Sequence, residues 1–215
     1  MYEFISGRLV WIAVVGLFGG VAYRVVPLAS LARRERVVYP TLDAKYGARS
    51  LLHWLIPFAG RKTQLHPFYT MISFGFHICL LLVPLCAAGH VLLFEQSWGF
   101  RWWTLPEAWT DGMTLVVIAT CLFFILRRLL RPEVRNVSTP SDFLLALIVL
   151  MPFATGFVAH QQWLPYQQML IVHGLSGALC LLLIPWTRLI HLLWFGFTRA
   201  FMGSEFGAVR HARDW

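Results

Sequence analysis

The chain has 215 residues, of which 58% are hydrophobic and only 13% charged, and its mean hydropathy is +0.65. Soluble domains carry about a quarter charged residues, so a water-soluble fold is excluded and lipid is the expected solvent. The net charge of +8 does not point to nucleic acid, because the basic residues sit in short segments between apolar runs, where a membrane-orientation signal belongs. Cys79, Cys86, Cys121 and Cys180 lie inside apolar runs without a C-x-x-C pair or a C-x-x-C-H sequence. They offer no disulfide framework, iron–sulfur site or c-type haem attachment, and packing is their expected role.

Crossing a bilayer takes about 20 mostly apolar residues, and five such stretches follow one another: about 4–27, 69–94, 112–126, 143–159 and 169–197. The first, with Arg8 near its outer end, lacks a small-residue cleavage site after a short apolar core and reads as a retained span. Leu51 to Ala59, interrupted by His53 and Pro57, is too short to cross and belongs at the interface. Arg33, Arg34, Arg36, Lys45, Arg49, Arg61 and Lys62 fill the segment after the first span. Arg127, Arg128, Arg131 and Arg135 follow the third, and Arg199, Arg210 and Arg213 lie in the tail. The other loops hold Arg101 against Glu95, Glu107 and Asp111, or no charge at all over Gln161 to Gln168. All basic segments then share one side, which predicts an all-α integral membrane protein with five transmembrane helices, an outer N-terminus and a cytoplasmic C-terminus. Trp98, Trp102, Trp103, Trp109 and Trp163 gather in the outer loops, where amphipathic rings favour the headgroup region. No repeat or long linker divides the chain, so residues 1–215 read as one domain.

A polar ring inside hydrocarbon is costly without a partner, and the spans contain four histidines: His77 and His90 on the second, His173 and His191 on the fifth. With spans two and five antiparallel, His77 is expected opposite His191 near the inner surface and His90 opposite His173 near the outer one. Two facing imidazoles at each level are what two bis-histidine haems require. His173 and His191 are 18 residues apart, five turns of an ideal helix, and share one face. His77 and His90 are 13 apart and point some 140° away from each other on a straight helix, unless a kink at Pro84 turns the second half. Gly75, Gly89, Gly174 and Gly177 would let a flat macrocycle approach, or serve helix packing. Arg188 is a candidate for a haem propionate, with snorkelling as the alternative. His66, 11 residues before His77, is an alternative ligand if the second helix begins early; His53, His160 and His211 read as interfacial or solvated. Phe201, Met202, Phe206 and Trp215 interleave with the charges of the tail, which marks Gly203 to Trp215 as the expected docking element for a cytoplasmic partner.

Phe76-His77-Ile78, Gly89-His90, His173 and Pro185-Trp186-Thr187-Arg188-Leu189-Ile190-His191 resemble the haem b gamma subunit of respiratory nitrate reductase, whose second and fifth spans hold two haems. The interval on span two is three residues longer here. Over essentially the whole chain, Met1-Tyr2-Glu3-Phe4, Leu52-His53-Trp54, Trp102-Trp103-Thr104-Leu105-Pro106 and Met202-Gly203-Ser204-Glu205-Phe206-Gly207-Ala208-Val209-Arg210-His211 are similar to the cytochrome b subunit of the Tmc transmembrane redox complex of sulfate-reducing bacteria. The related Dsr membrane cytochrome comes next. The resemblance implies an inner-membrane electron-transfer subunit with two haem b groups and no catalytic site of its own. Its implied partners are a periplasmic multihaem cytochrome c, a cytoplasmic iron–sulfur subunit akin to heterodisulfide reductase, and membrane lipid; menaquinone is a further redox partner that it admits. The competing classes are a transporter or proton channel with histidine relays, disfavoured by the lack of intramembrane Asp or Glu, and a histidine metalloenzyme, disfavoured by the lack of an H-E-x-x-H or comparable carboxylate set.

Overall fold

The computed structural model describes residues 4–35 and 38–215, and every regular element among them is helical. Met1-Tyr2-Glu3 of the opening motif and Arg36 of the first basic segment lie outside the described residues. A π-helical turn at Phe4–Leu9 leads into α1 (Val10–Arg34), followed by α2 (Ala44–Leu55), α3 (Arg61–Leu65), α4 (Pro67–Cys86) and α5 (Ala88–Trp98). Next come α6 (Glu107–Leu130), the single turn α7 (Pro132–Arg135), α8 (Pro140–His160) and α9 (Tyr166–Leu183). A 3₁₀ turn at Arg188–Ile190, α10 (His191–Ser204) and a π turn at Glu205–Val209 complete the chain.

Five helical stretches are long and apolar enough to cross a membrane: Gly7–Arg34, Pro67–Cys86, Glu107–Leu130, Pro140–His160 and Tyr166–Leu183. At most 33% of any of these apolar windows is buried by protein, and Leu115, Leu122, Leu144, Leu147, Leu175 and Leu179 stand exposed. Such surfaces are matched to lipid, and the protein is a multi-pass helical membrane protein.

The five expected spans are present, but two are shorter than the hydropathy suggests. The second ends at Cys86 instead of continuing to residue 94, because Ala87 takes an extended backbone (φ −66°, ψ 134°) before α5 starts. The fifth ends at Leu183 instead of 197. Pro185 brings no amide hydrogen and cannot extend the helical ladder, and Thr187, in an extended conformation, caps the 3₁₀ turn that restarts the chain. His173 and His191 therefore do not share a continuous helix, and the count of five turns between them does not set their relative direction.

The chain divides into two compact units, one formed by residues up to Val14 with Ile72–Leu181, the other by Val15–Met71 with Leu182–Trp215. In the first unit α6 packs against α8, over a core that includes Val91, Val117, Cys121, Val149 and Phe153. Polar contacts pin both ends of this pair. Asp111 accepts a 2.8 Å hydrogen bond from the Gln161 amide and lies 3.5 Å from His160 Nε2; Arg128 lies 3.8 Å from Asp142. Asp142 also closes a capping box with Thr139, and Pro140 occupies the first helical position, where its missing amide hydrogen costs nothing. Trp11 packs edge-on against Phe94 and Trp98, at 5.1 and 5.2 Å.

In the second unit α10 lies along α2. The approach is close because glycines stand at the contacts: a Cβ at Gly203 would meet Ser50 and one at Gly207 would meet the Tyr46 ring. Ser50 and Ser204 are fully buried there. Ser204 Oγ receives the Asp43 N–H at 3.0 Å, and Ser50 Oγ donates to Asp214 at 2.6 Å. Trp215 stacks on His53 with ring centroids 4.1 Å apart. The tail, expected to be the docking element for a cytoplasmic partner, is folded onto α2, where Trp215 stacks on His53 and Gly203 lies against Ser50.

Candidate functional site

The break between α4 and α5 leaves the last carbonyls of α4 without their usual helical donors. Each finds another. Cys86 O accepts the Leu105 N–H at 2.9 Å, Leu85 O accepts the Trp102 indole N–H at 2.7 Å, and Pro84 O lies 2.9 Å from His90 Nδ1. A carbonyl can only accept, so the proton of His90 is assigned to Nδ1 and the lone pair to Nε2. The direction of His90 is set by this break, and the 140° offset calculated for a straight helix does not apply.

Within the same unit His173 of α9 comes next to His90. The ring centroids are 5.8 Å apart and the planes differ by 6°. His173 Nδ1 lies 2.9 Å from the carbonyl of Pro152 on α8, so its free lone pair is also on Nε2. Gly156, one turn beyond Pro152, makes the room: a Cβ there would lie 2.9 Å from both Cε1 and Nδ1 of His173. Ser176 donates to the His173 carbonyl at 2.9 Å and meets Thr155 of α8 at 3.3 Å, fixing the α8–α9 contact.

His77, within the second span, and His191, beyond the end of the fifth, repeat the pattern. His77 Nδ1 lies 2.7 Å from Ser73 O, and His191 Nδ1 lies 2.8 Å from Arg188 O. His77 belongs to the first compact unit and His191, at the start of α10, to the second. Arg188 thus touches His191 through its backbone. Gly174 serves helix packing, since a Cβ there would collide with Ile5, whereas a Cβ at Gly75, Gly89 or Gly177 would meet no atom within 4 Å. His66 lies immediately before α4, which begins at Pro67, and its carbonyl accepts the Thr70 N–H at 3.0 Å.

The residues that the sequence reading missed are Pro152 and Gly156, the seat of His173. Their spacing of four puts them on one helix face, and a proline and a glycine one turn apart in an apolar span were the available signal. Among the described residues no cluster of three or more His, Cys, Asp or Glu is arranged to hold a metal ion. A bis-histidine haem needs only two protein ligands, since the porphyrin supplies the other donors. Two metal–imidazole bonds of about 2 Å each, with the ring radii added, separate two centroids by about 6 Å. The His90–His173 centroid distance of 5.8 Å is close to that separation.

No protein-family model and no solved structure matches the chain. A protein of Nitratidesulfovibrio vulgaris strain Hildenborough, named simply "Protein", is 33% identical over 215 residues, covering 98% of this chain and 95% of the relative. This multi-pass helical membrane protein therefore belongs to the family of that Nitratidesulfovibrio protein, related to it over nearly its whole length.

Proposed function

We propose that this chain is a dihaem cytochrome b subunit of a membrane redox complex, carrying electrons between a multihaem cytochrome c on the outer side and an iron–sulfur subunit on the cytoplasmic side, with menaquinone as a further exchange partner. His90 and His173 would hold the outer haem, His77 and His191 the inner one. Bound there, haem b supplies a one-electron couple. The observation that carries the reading is the tautomer shared by all four histidines: each Nδ1 is 2.7–2.9 Å from a backbone carbonyl, which directs every lone pair to Nε2. Such second-shell contacts orient ligand rings and raise their basicity. For His90 and His173 the carbonyls of Pro84 and Pro152 do this work, and Gly156 keeps the space that the His173 ring occupies. For His90 and His173, a ring with Nδ1–H tied to a carbonyl has one nitrogen left to offer, which suits ligation better than a proton relay through both nitrogens.

The test is the reduced-minus-oxidised visible spectrum of the purified chain, with haem counted per polypeptide. Two b-type haems are expected. His173→Ala and His191→Ala should each retain one haem, and two haems in either variant would reject the ligand assignment. A chain with no haem bands in a folded, membrane-inserted preparation would reject the function.

A further inference from the structure

We propose that the cleft between α2 and the C-terminal tail is a binding site for a phosphate-bearing anion. It encloses about 230 Å³ and is lined by Tyr46, Arg49, Gly207, His211, Ala212 and Arg213. Arg49, His211 and Arg213 are among its lining residues and no acidic residue is. Of the nearby acids, Glu205 pairs with Arg210, and Asp214 accepts from Ser50 through Oδ2 while its Oδ1 is buried without a partner.

Three observations converge on an anion. Arg49 donates from Nη2 to the Ala212 carbonyl at 3.1 Å and lies over the Tyr46 and Trp215 rings, at 4.9 and 5.0 Å. This holds the guanidinium in place beside the cleft, and a guanidinium is a group that phosphate oxygens match well. His211 has φ of 52°. The Ala212 N–H reaches back to Phe206 O at 2.8 Å, so His211 sits at the left-handed position that ends a helix, where glycine carries no penalty. His211 takes that left-handed conformation, which histidine adopts more readily than most residues, at the rim of the cleft. Finally, Leu52, Leu55 and Ile56 at the end of α2 are exposed to 61%, 59% and 57%, one turn beyond Arg49. An apolar edge beside a basic cleft is the arrangement of an interfacial helix, with acyl chains against the leucines and headgroup phosphate against the arginines. The phosphate is carried by an anionic phospholipid or arrives free, and the two sources can be separated.

The full-length protein is placed in nanodiscs of phosphatidylcholine alone, phosphatidylcholine with phosphatidylglycerol, and phosphatidylcholine with added inorganic phosphate. Amide hydrogen exchange is then followed over the tail from Gly207. Phosphatidylglycerol should slow exchange there, and the double variant Arg213→Gln/His211→Asn should weaken this protection about fivefold or more for each basic group lost. Protection by inorganic phosphate alone, absent in the double variant, supports the same site with a free anion as its source. Arg210→Gln, whose partner is Glu205, should behave as wild type. If the double variant does not fold, Arg213→Gln alone serves the comparison, because Arg213 contributes only a ring contact of 5.9 Å to the packing. Wild-type exchange that ignores both additives, or that is slowed equally in the variants, would overturn the proposal.

Discussion

At the scale of single residues, the position of His173 depends on an atom that is missing. Gly156 leaves room where any side chain would press on the imidazole, since a Cβ would stand 2.9 Å from two ring atoms. Gly156→Ala should therefore turn or expel the ring while the rest of α8 tolerates a better helix former. Overpacking of this kind costs about 1–3 kcal/mol, and on the proposed ligation the variant retains one haem per chain instead of two, read from the haem-to-protein ratio. An unchanged ratio would show that the ring can shift without losing its partner. His90 depends on a different device, a carbonyl freed by a helix break, so its position tolerates substitutions on α8 that His173 does not.

At the scale of elements, the break at Ala87 is held by donors from the following loop. Trp102→Phe keeps most of the ring but removes the indole N–H that serves Leu85 O. The loss should cost about 1 kcal/mol, a fall of about 2–4 °C in the thermal unfolding midpoint for a chain of this length. Leu85→Ala, which leaves that hydrogen bond intact, is the comparison for packing loss. The tail makes a similar case. Deleting Gly203 to Trp215 would strip α2 of Gly203, Ser204, Gly207 and Trp215 together. The deletion should speed amide exchange through α2 before any effect on a partner is read, so a lost partner would not by itself identify the tail as the docking element. Slow exchange retained in the truncated protein would show that α2 stands without it.

At the scale of the whole molecule, orientation follows from the basic segments and can be read in the cell. A reporter fused after Trp215 should register as cytoplasmic and one inserted near Glu107 as external, because Lys and Arg next to spans resist translocation. The opposite pattern would invert the chain and exchange the inner and outer assignments of the histidines. On the proposed function, two haems across the bilayer would form a conductor, which would need a donor and an acceptor beyond its own short loops. The exposed Trp98, Trp103, Trp109 and Trp163 are the surface on which the outer partner of the proposed complex would dock.

The five spans were legible because length and hydropathy are local properties: about 20 apolar residues in lipid have little choice but to form a helix, whose backbone groups then satisfy one another. The four histidines stood out for the same reason, as polar rings in apolar runs. Their directions were not legible. A straight helix places His77 and His90 far apart in angle, and an unbroken one aligns His173 with His191. Both calculations failed where the chain leaves the helix, at Ala87 and between Leu183 and Arg188. Pro84 and Pro185 marked the neighbourhoods, but a proline says that a ladder hydrogen bond is missing and not which distant donor will replace it. Trp102 and Leu105 at the first break, Pro152 and Gly156 around His173, and Tyr46 and Ser50 beneath the glycines of the tail were decided only by tertiary contact, because hydrogen-bond capture and close backbone approach depend on which elements meet, and hydropathy carries no record of that.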